Sequence, residues 1–155
     1  PRDPSYISPI LSAIQSDLCE SGIDGVLSTH IQRDALEKFS YVSPIGAAGV
    51  YLHAVAGDFQ KEGPARELFK SMIREISALA AAMGYPFEKD YVKINLEILS
   101  NLSADATTSM QRDIMEGKPS ELDGLVMEPL RLAKKYSVSM PCYEEVAKVL
   151  CPLEF

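Results

Sequence analysis

The chain has 155 residues, 46% of them apolar and 24% charged, enough for one domain whose core needs no disulfide or metal to staple it. Fifteen basic against 22 acidic residues give a formal net charge of −7, and no Lys/Arg cluster interrupts the acidic pattern, which argues against nucleic-acid binding. Cys19, Cys142 and Cys151 are odd in number and lack CxxC spacing, and His30 and His53 stand apart from them, so neither a disulfide framework nor a zinc site is expected.

In chain order the pattern is helical almost throughout. Tyr6 to Glu20 sets Ile7, Ile10, Leu11, Ile14 and Leu18 on one stripe, and Gly22 ends it. Residues 22–29 read as an irregular connection. Ile31 to Ala56 reads as one long helix bent near Ser43-Pro44, because proline removes a backbone donor and crowds the turn before it. Gly46, Ala47, Ala48 and Gly49 let another backbone come close. The uncharged stretch from Phe39 to Gly57 reads as a buried core helix and not a membrane span.

Gly63-Pro64 opens a helix to about Met83, with Leu68, Met72, Ile76 and Leu79 on its stripe. Glu88 to Leu102 follows, then a short helix from Ala106 to Glu116. Ser120 to Tyr136 is another, with Pro129 as an irregularity, and Pro141 to Leu150 is the last. Strand patterns are nearly absent. The expected fold is all-α, a bundle of six or seven helices in a single domain. No GxGxxG after a strand and no GxxxxGK[ST] loop occurs, so the chain carries no nucleotide-binding fingerprint of its own. The N-terminal PRDPSYIS lacks the basic start and apolar run of a signal peptide. With the cysteine usage, this makes the cytoplasm the expected compartment.

Several residues admit both a chemical and a structural role. Lys38 shares a helix face with Val42 and Ile45; it is either a snorkelling lysine at the rim of the core or an ammonium aimed at a substrate oxygen. Glu121 and Asp123 follow Ser120 and suit a helix first turn; Ser109 lies among Asp105, Thr107 and Thr108, all helix-start residues. His53, between Leu52 and Ala54, reads as a core histidine. The cysteines read as small hydrophobes, and Met72, Met83 and Met110 as core filler.

The segment Thr108-Ser109-Met110-Gln111-Arg112-Asp113, followed by Ser120-Glu121-Leu122-Asp123-Gly124, resembles the carboxyl-domain signature of ketopantoate reductases (2-dehydropantoate 2-reductases). That signature runs roughly S-S-M-x-x-D, a gap, then T-E-I-D, and the twelve-residue step from Ser109 to Glu121 matches its step. Leu36-Glu37-Lys38-Phe39 resembles the family's W-x-K-[LF], and the likeness extends from about Ile31 to Leu150. It implies the all-α C-terminal domain of such an enzyme, akin to the helical domains of 6-phosphogluconate dehydrogenase-like proteins. It also implies a separate N-terminal Rossmann domain binding NADP(H), with substrate in the cleft between the two. Lys38 then matches the catalytic lysine that polarises the ketone and supplies a proton. Glu121 matches the acid that holds it, and Ser109 the serine that contacts the substrate carboxylate. Ser43 offers a further hydrogen bond to substrate. Val42 and Gly46 stand where the family commonly carries asparagines.

The implied reaction is reduction of a 2-keto acid to a 2-hydroxy acid, ketopantoate to pantoate in pantothenate and coenzyme A synthesis. The isolated domain is expected to be inactive. Partners would be the small keto acid, the missing Rossmann domain and a second copy in a homodimer, with no membrane and no nucleic acid. The competing expectation is a non-catalytic helical dimerisation or interaction module.

Overall fold

Proline inside a helix frees a carbonyl, and this fold is organised around two such carbonyls. The structure is a computed structural model describing residues 7–152. Its helices are α1 (Pro9–Glu20), α2 (Ile31–Leu52), α3 (Ala56–Gln60), α4 (Pro64–Ala82), α5 (Tyr91–Ser100), α6 (Ser109–Met115), α7 (Glu128–Tyr136) and α8 (Pro141–Leu150). A π-helical turn, Asp123–Met127, leads directly into α7. No strand occurs among the described residues. The all-α expectation holds, with one short helix more than the periodicity separates.

Pro44 sits within α2 without ending it. It has no N–H to offer the Ser40 carbonyl four residues back. That carbonyl is buried, and Asn95 of α5 supplies the missing donor: its Nδ2 lies 3.0 Å from Ser40 O and 3.1 Å from Ser40 Oγ. Pro129 does the same to Leu125. There the backbone widens to the π turn, in which Glu128 N reaches back to Asp123 O. The Leu125 carbonyl accepts instead from Ser43 Oγ of α2, at 2.6 Å. The Ser43 hydroxyl is also 2.5 Å from the Tyr143 hydroxyl of α8. One buried network thus ties α2, the π turn and α8 together. Burial pushes the Tyr143 phenol well above its ordinary pKa, so it stays a protonated donor.

α2 runs through the centre and packs most extensively on α4, whose Phe69, Met72, Ile73, Ile76 and Leu79 are buried. Burying such side chains contributes about 1.5–3 kcal/mol each before conformational entropy is set against it. The glycines of α2 let α6 approach. A Cβ on Gly49 would lie 2.7 Å from Gln111 Cδ, so any larger residue there would have to displace the Gln111 amide from its bonds. α8 lacks a side-chain cap of its own; Glu75 of α4 caps it from outside, accepting from Cys142 N at 2.8 Å and Tyr143 N at 3.1 Å. The same burial, together with Glu75, raises the Cys142 thiol to about 11. No cysteine is in a disulfide.

Several expectations need correction. The long helix does not reach Ala56: it ends at Leu52, and His53 turns left-handed at φ 51° and is exposed, so it is not a core histidine. α3 then begins anew. Ile10, Leu11, Ile14 and Leu18 lie in α1, but among the described residues α1 packs on no other helix: Ile10 is 72% exposed, Ile14 48% and Leu11 48%, and Cys19 is exposed too. Tyr6, where that helix was expected to start, lies outside the described residues. The helix expected from Ser120 instead opens with the π-helical turn Asp123–Met127, and Ser120 makes no side-chain hydrogen bond among the described residues. Among the described residues no helix is long and apolar enough to cross a membrane.

Candidate active site

α6 is short and firmly capped. Thr108 Oγ1 accepts from Gln111 N at 3.2 Å, while Gln111 Oε1 accepts from Thr108 N at 2.9 Å. Gln111 Nε2 also donates to Ala54 O at 2.8 Å, anchoring α6 to the end of α2. Thr108 therefore does the capping, and Ser109 does not. Gly117, at φ 67°, closes the helix so that Lys118 N meets Asp113 O at 2.8 Å. The chain then crosses to the π turn, where Leu125 N is bonded to Glu121 O at 2.9 Å. Asp123 and Arg131 brace that turn through two contacts, 2.9 and 2.8 Å, and the guanidinium holds the Asp123 carboxyl below the usual carboxylate range.

These two segments converge on one face of α2. Thr108 Oγ1 and Leu125 Cδ1 each lie 3.9 Å from where a Cβ on Gly46 would sit, and Met110 Cε lies 3.0 Å from it. Lys38 is two turns earlier on α2, about 12 Å along its axis. Ser109 follows Thr108 directly, and Glu121 lies one turn before Leu125. All three of Lys38, Ser109 and Glu121 are exposed, and none has a side-chain hydrogen bond or ion pair among the described residues. No bond joins Lys38 to Glu121.

Ser43 is different. It is 0% exposed and its hydroxyl is committed to Leu125 O and Tyr143 Oη. The expected substrate contact is therefore corrected to a structural one: a substrate cannot reach it. Ser43→Ala should lower stability by about 1–3 kcal/mol by orphaning the Leu125 carbonyl, measured by denaturant unfolding.

Two adjoining hollows border this face. The first, about 340 Å³, is lined by Asp34, Glu37, Lys38, Tyr41, Val42, Tyr91, Asn95 and Ile98. Burial and then its bond to Glu37 raise the Tyr91 phenol to about 12. The second, about 240 Å³, lies between α2, α3, α5 and the start of α6. Tyr41 and Ile98 line both, so the two hollows are neighbours. The Tyr41 hydroxyl is buried without a partner, and burial raises its pKa. No group of three or more His, Cys, Asp or Glu side chains is placed to hold a metal among the described residues.

Sequence reasoning missed Asn95 and Gln111, the buried amides that join α2 to α5 and α6. The signal for Asn95 was Pro44, which leaves a carbonyl in need of a donor. Gln111 could have been found as the third residue after Thr108 in a capping box.

The family described as "Ketopantoate reductase PanE/ApbA C terminal" matches residues 30–154, and the chain belongs to that family. Among its relatives, the 2-dehydropantoate 2-reductase of Aquifex aeolicus is 27% identical over 135 residues, covering 84% of this chain and 43% of that enzyme. The crystal structure of the Methylococcus capsulatus 2-dehydropantoate 2-reductase superposes with a TM-score of 0.85 at 24% identity, over 97% of this chain and 48% of that one. A dimeric ketopantoate reductase from Staphylococcus aureus does so with a TM-score of 0.81 at 19% identity, over 94% and 51%. The chain spans about half the length of these relatives or less.

Proposed function

We propose that this chain is the substrate-holding helical domain of an NADP-dependent reductase that converts a 2-keto acid to a 2-hydroxy acid. The observation that carries this reading is the family match across residues 30–154, with Lys38, Ser109 and Glu121 all open to solvent and without a side-chain partner among the described residues. A reductase needs a cation where negative charge develops on the ketone oxygen, and an ammonium free of a carboxylate partner is available for it. Lys38 is that cation and the proton donor: as the carbonyl π electrons move onto oxygen, Lys38 Nζ gives the oxygen a proton and recovers one from water. Ser109 donates a hydrogen bond to the substrate carboxylate. Glu121, brought near by closure over the substrate, orients the ammonium.

NADP(H) supplies the hydride when bound to the full-length protein. The residues described here form no strand–glycine–helix cradle for its phosphates, so they do not fit the cofactor, and we assign its binding to the part of the relatives' length that this chain does not span. The test is to follow NADPH oxidation by the full-length protein with a panel of 2-keto acids. Turnover is expected, and none with the helical chain alone.

A second reading, a helical association module, is favoured by one observation: the exposed apolar face of α1, on which Ile10, Leu11 and Ile14 have no helix against them among the described residues. The two readings part on one point. Keto-acid turnover that Lys38→Ala abolishes rejects the module. Self-association, as in the dimeric Staphylococcus aureus relative, is compatible with both.

A further inference from the structure

The hollow beyond Tyr41 offers an incoming group almost nothing but hydrocarbon. Ile45, Ala54, Phe59, Ile98, Leu102 and Ala106 form much of its lining. Its polar side chains are already engaged: Thr108 and Gln111 bond each other and Gln111 also bonds Ala54 O, while Thr107 Oγ1 accepts from Arg112 at 3.3 Å. The Tyr41 hydroxyl is sealed from solvent. The α2 wall that leads from Lys38 to this hollow continues the theme. It presents Val42 and Ile45, and behind them Met110 Cε covers Gly46.

A polar substituent entering such a hollow would lose its water and find few partners, the sealed Tyr41 hydroxyl and the Thr107 hydroxyl proton being those left, whereas an apolar one gains by leaving water. The size fits as well: an apolar cavity of about 150 Å³ is enough to hold a benzene ring, and this one is about 240 Å³. The hollow lies beside that of Lys38, with Tyr41 and Ile98 lining both, so it is the apolar space next to a ketone held at Lys38.

We propose that this groove selects 2-keto acids with a large, unhydroxylated apolar side chain, branched aliphatic or aromatic, whose tail occupies the hollow beyond Tyr41. The inference rests on the reductase reading above and gives it a substrate class.

The test measures kcat/KM of the full-length protein with NADPH and a graded set of substrates. These are pyruvate, 4-methyl-2-oxopentanoate, phenylpyruvate and 3,3-dimethyl-2-oxobutanoate, the last paired with ketopantoate, which differs from it by one hydroxyl. The two larger apolar acids should exceed pyruvate by about tenfold or more, given what one or two buried methylenes contribute to discrimination. The dimethyl acid should be used at least as well as ketopantoate. Ala106→Leu, which narrows the hollow, should lower the phenylpyruvate-to-pyruvate ratio by about tenfold, a ratio that loss of folded protein does not move. Preference for ketopantoate, a flat profile, or an unmoved ratio in the variant overturns this inference and leaves the reductase reading standing. No turnover with any 2-keto acid overturns both.

Discussion

Lys38→Ala in the full-length protein is expected to cut keto-acid turnover by about 10²–10⁴-fold, the range general acid catalysis contributes. The loss should fall mainly on kcat, because the ammonium acts on charge that develops only as hydride arrives. Stability should hardly change. Lys38 is exposed and bonds to no described residue, and exposed substitutions of that kind stay within about 0.5 kcal/mol. A stopped assay of kcat with a thermal melt on the same preparation checks both halves. Lys38→Arg should recover little, since a planar guanidinium does not release a proton at working pH and holds its charge elsewhere in space. Full activity in Lys38→Ala would remove the lysine from the chemistry.

Asn95→Ala is the expected large effect on folding. Truncation leaves the Ser40 carbonyl buried with no donor, because Pro44 cannot supply one. An orphaned buried acceptor costs about 1–3 kcal/mol, and the space left by the amide adds to it. The sum is about 3 kcal/mol. For a chain of this size that lowers Tm by roughly 6–12 °C. Asn95 lines the same hollow as Lys38, so kcat/KM is expected to fall as well. A melt of the isolated chain separates the two effects. An unchanged Tm would show that the amide adds nothing to the α2–α5 joint.

Much of the architecture was legible because apolar residues recur at helical spacing and glycine or proline punctuates them. Leu68, Met72, Ile76 and Leu79 read as one stripe and lie together in α4. What escaped was set by partners far away in sequence. Proline at 44 was read as a bend within one continuing helix, and the helix does run through it; what escaped is that Asn95, 55 residues away, takes the freed carbonyl. Pro129 announced an irregularity without saying that the backbone would answer with a π turn. The α1 stripe was read correctly as a pattern, yet a pattern does not say what covers it. Of the candidate site, Lys38, Ser109 and Glu121 were picked out by their spacing in a known signature, not by their local chemistry. Ser43 was misassigned, because a small hydroxyl near a lysine looks the same whether it meets substrate or a backbone oxygen. Only the three-dimensional arrangement, with Leu125 and Tyr143 on either side, distinguishes the two.

The pairing of Pro44 with Asn95 behaves as a two-part latch. Alanine at 44 would hand the Ser40 oxygen back to its own helix, leaving Asn95 with a crowded acceptor and less reason to be there. The harm done by losing the amide should therefore shrink when the ring has gone first. Exchanges at these two sites are tolerated best together, and an imino acid in the middle of a helix marks a seam between helices instead of an end.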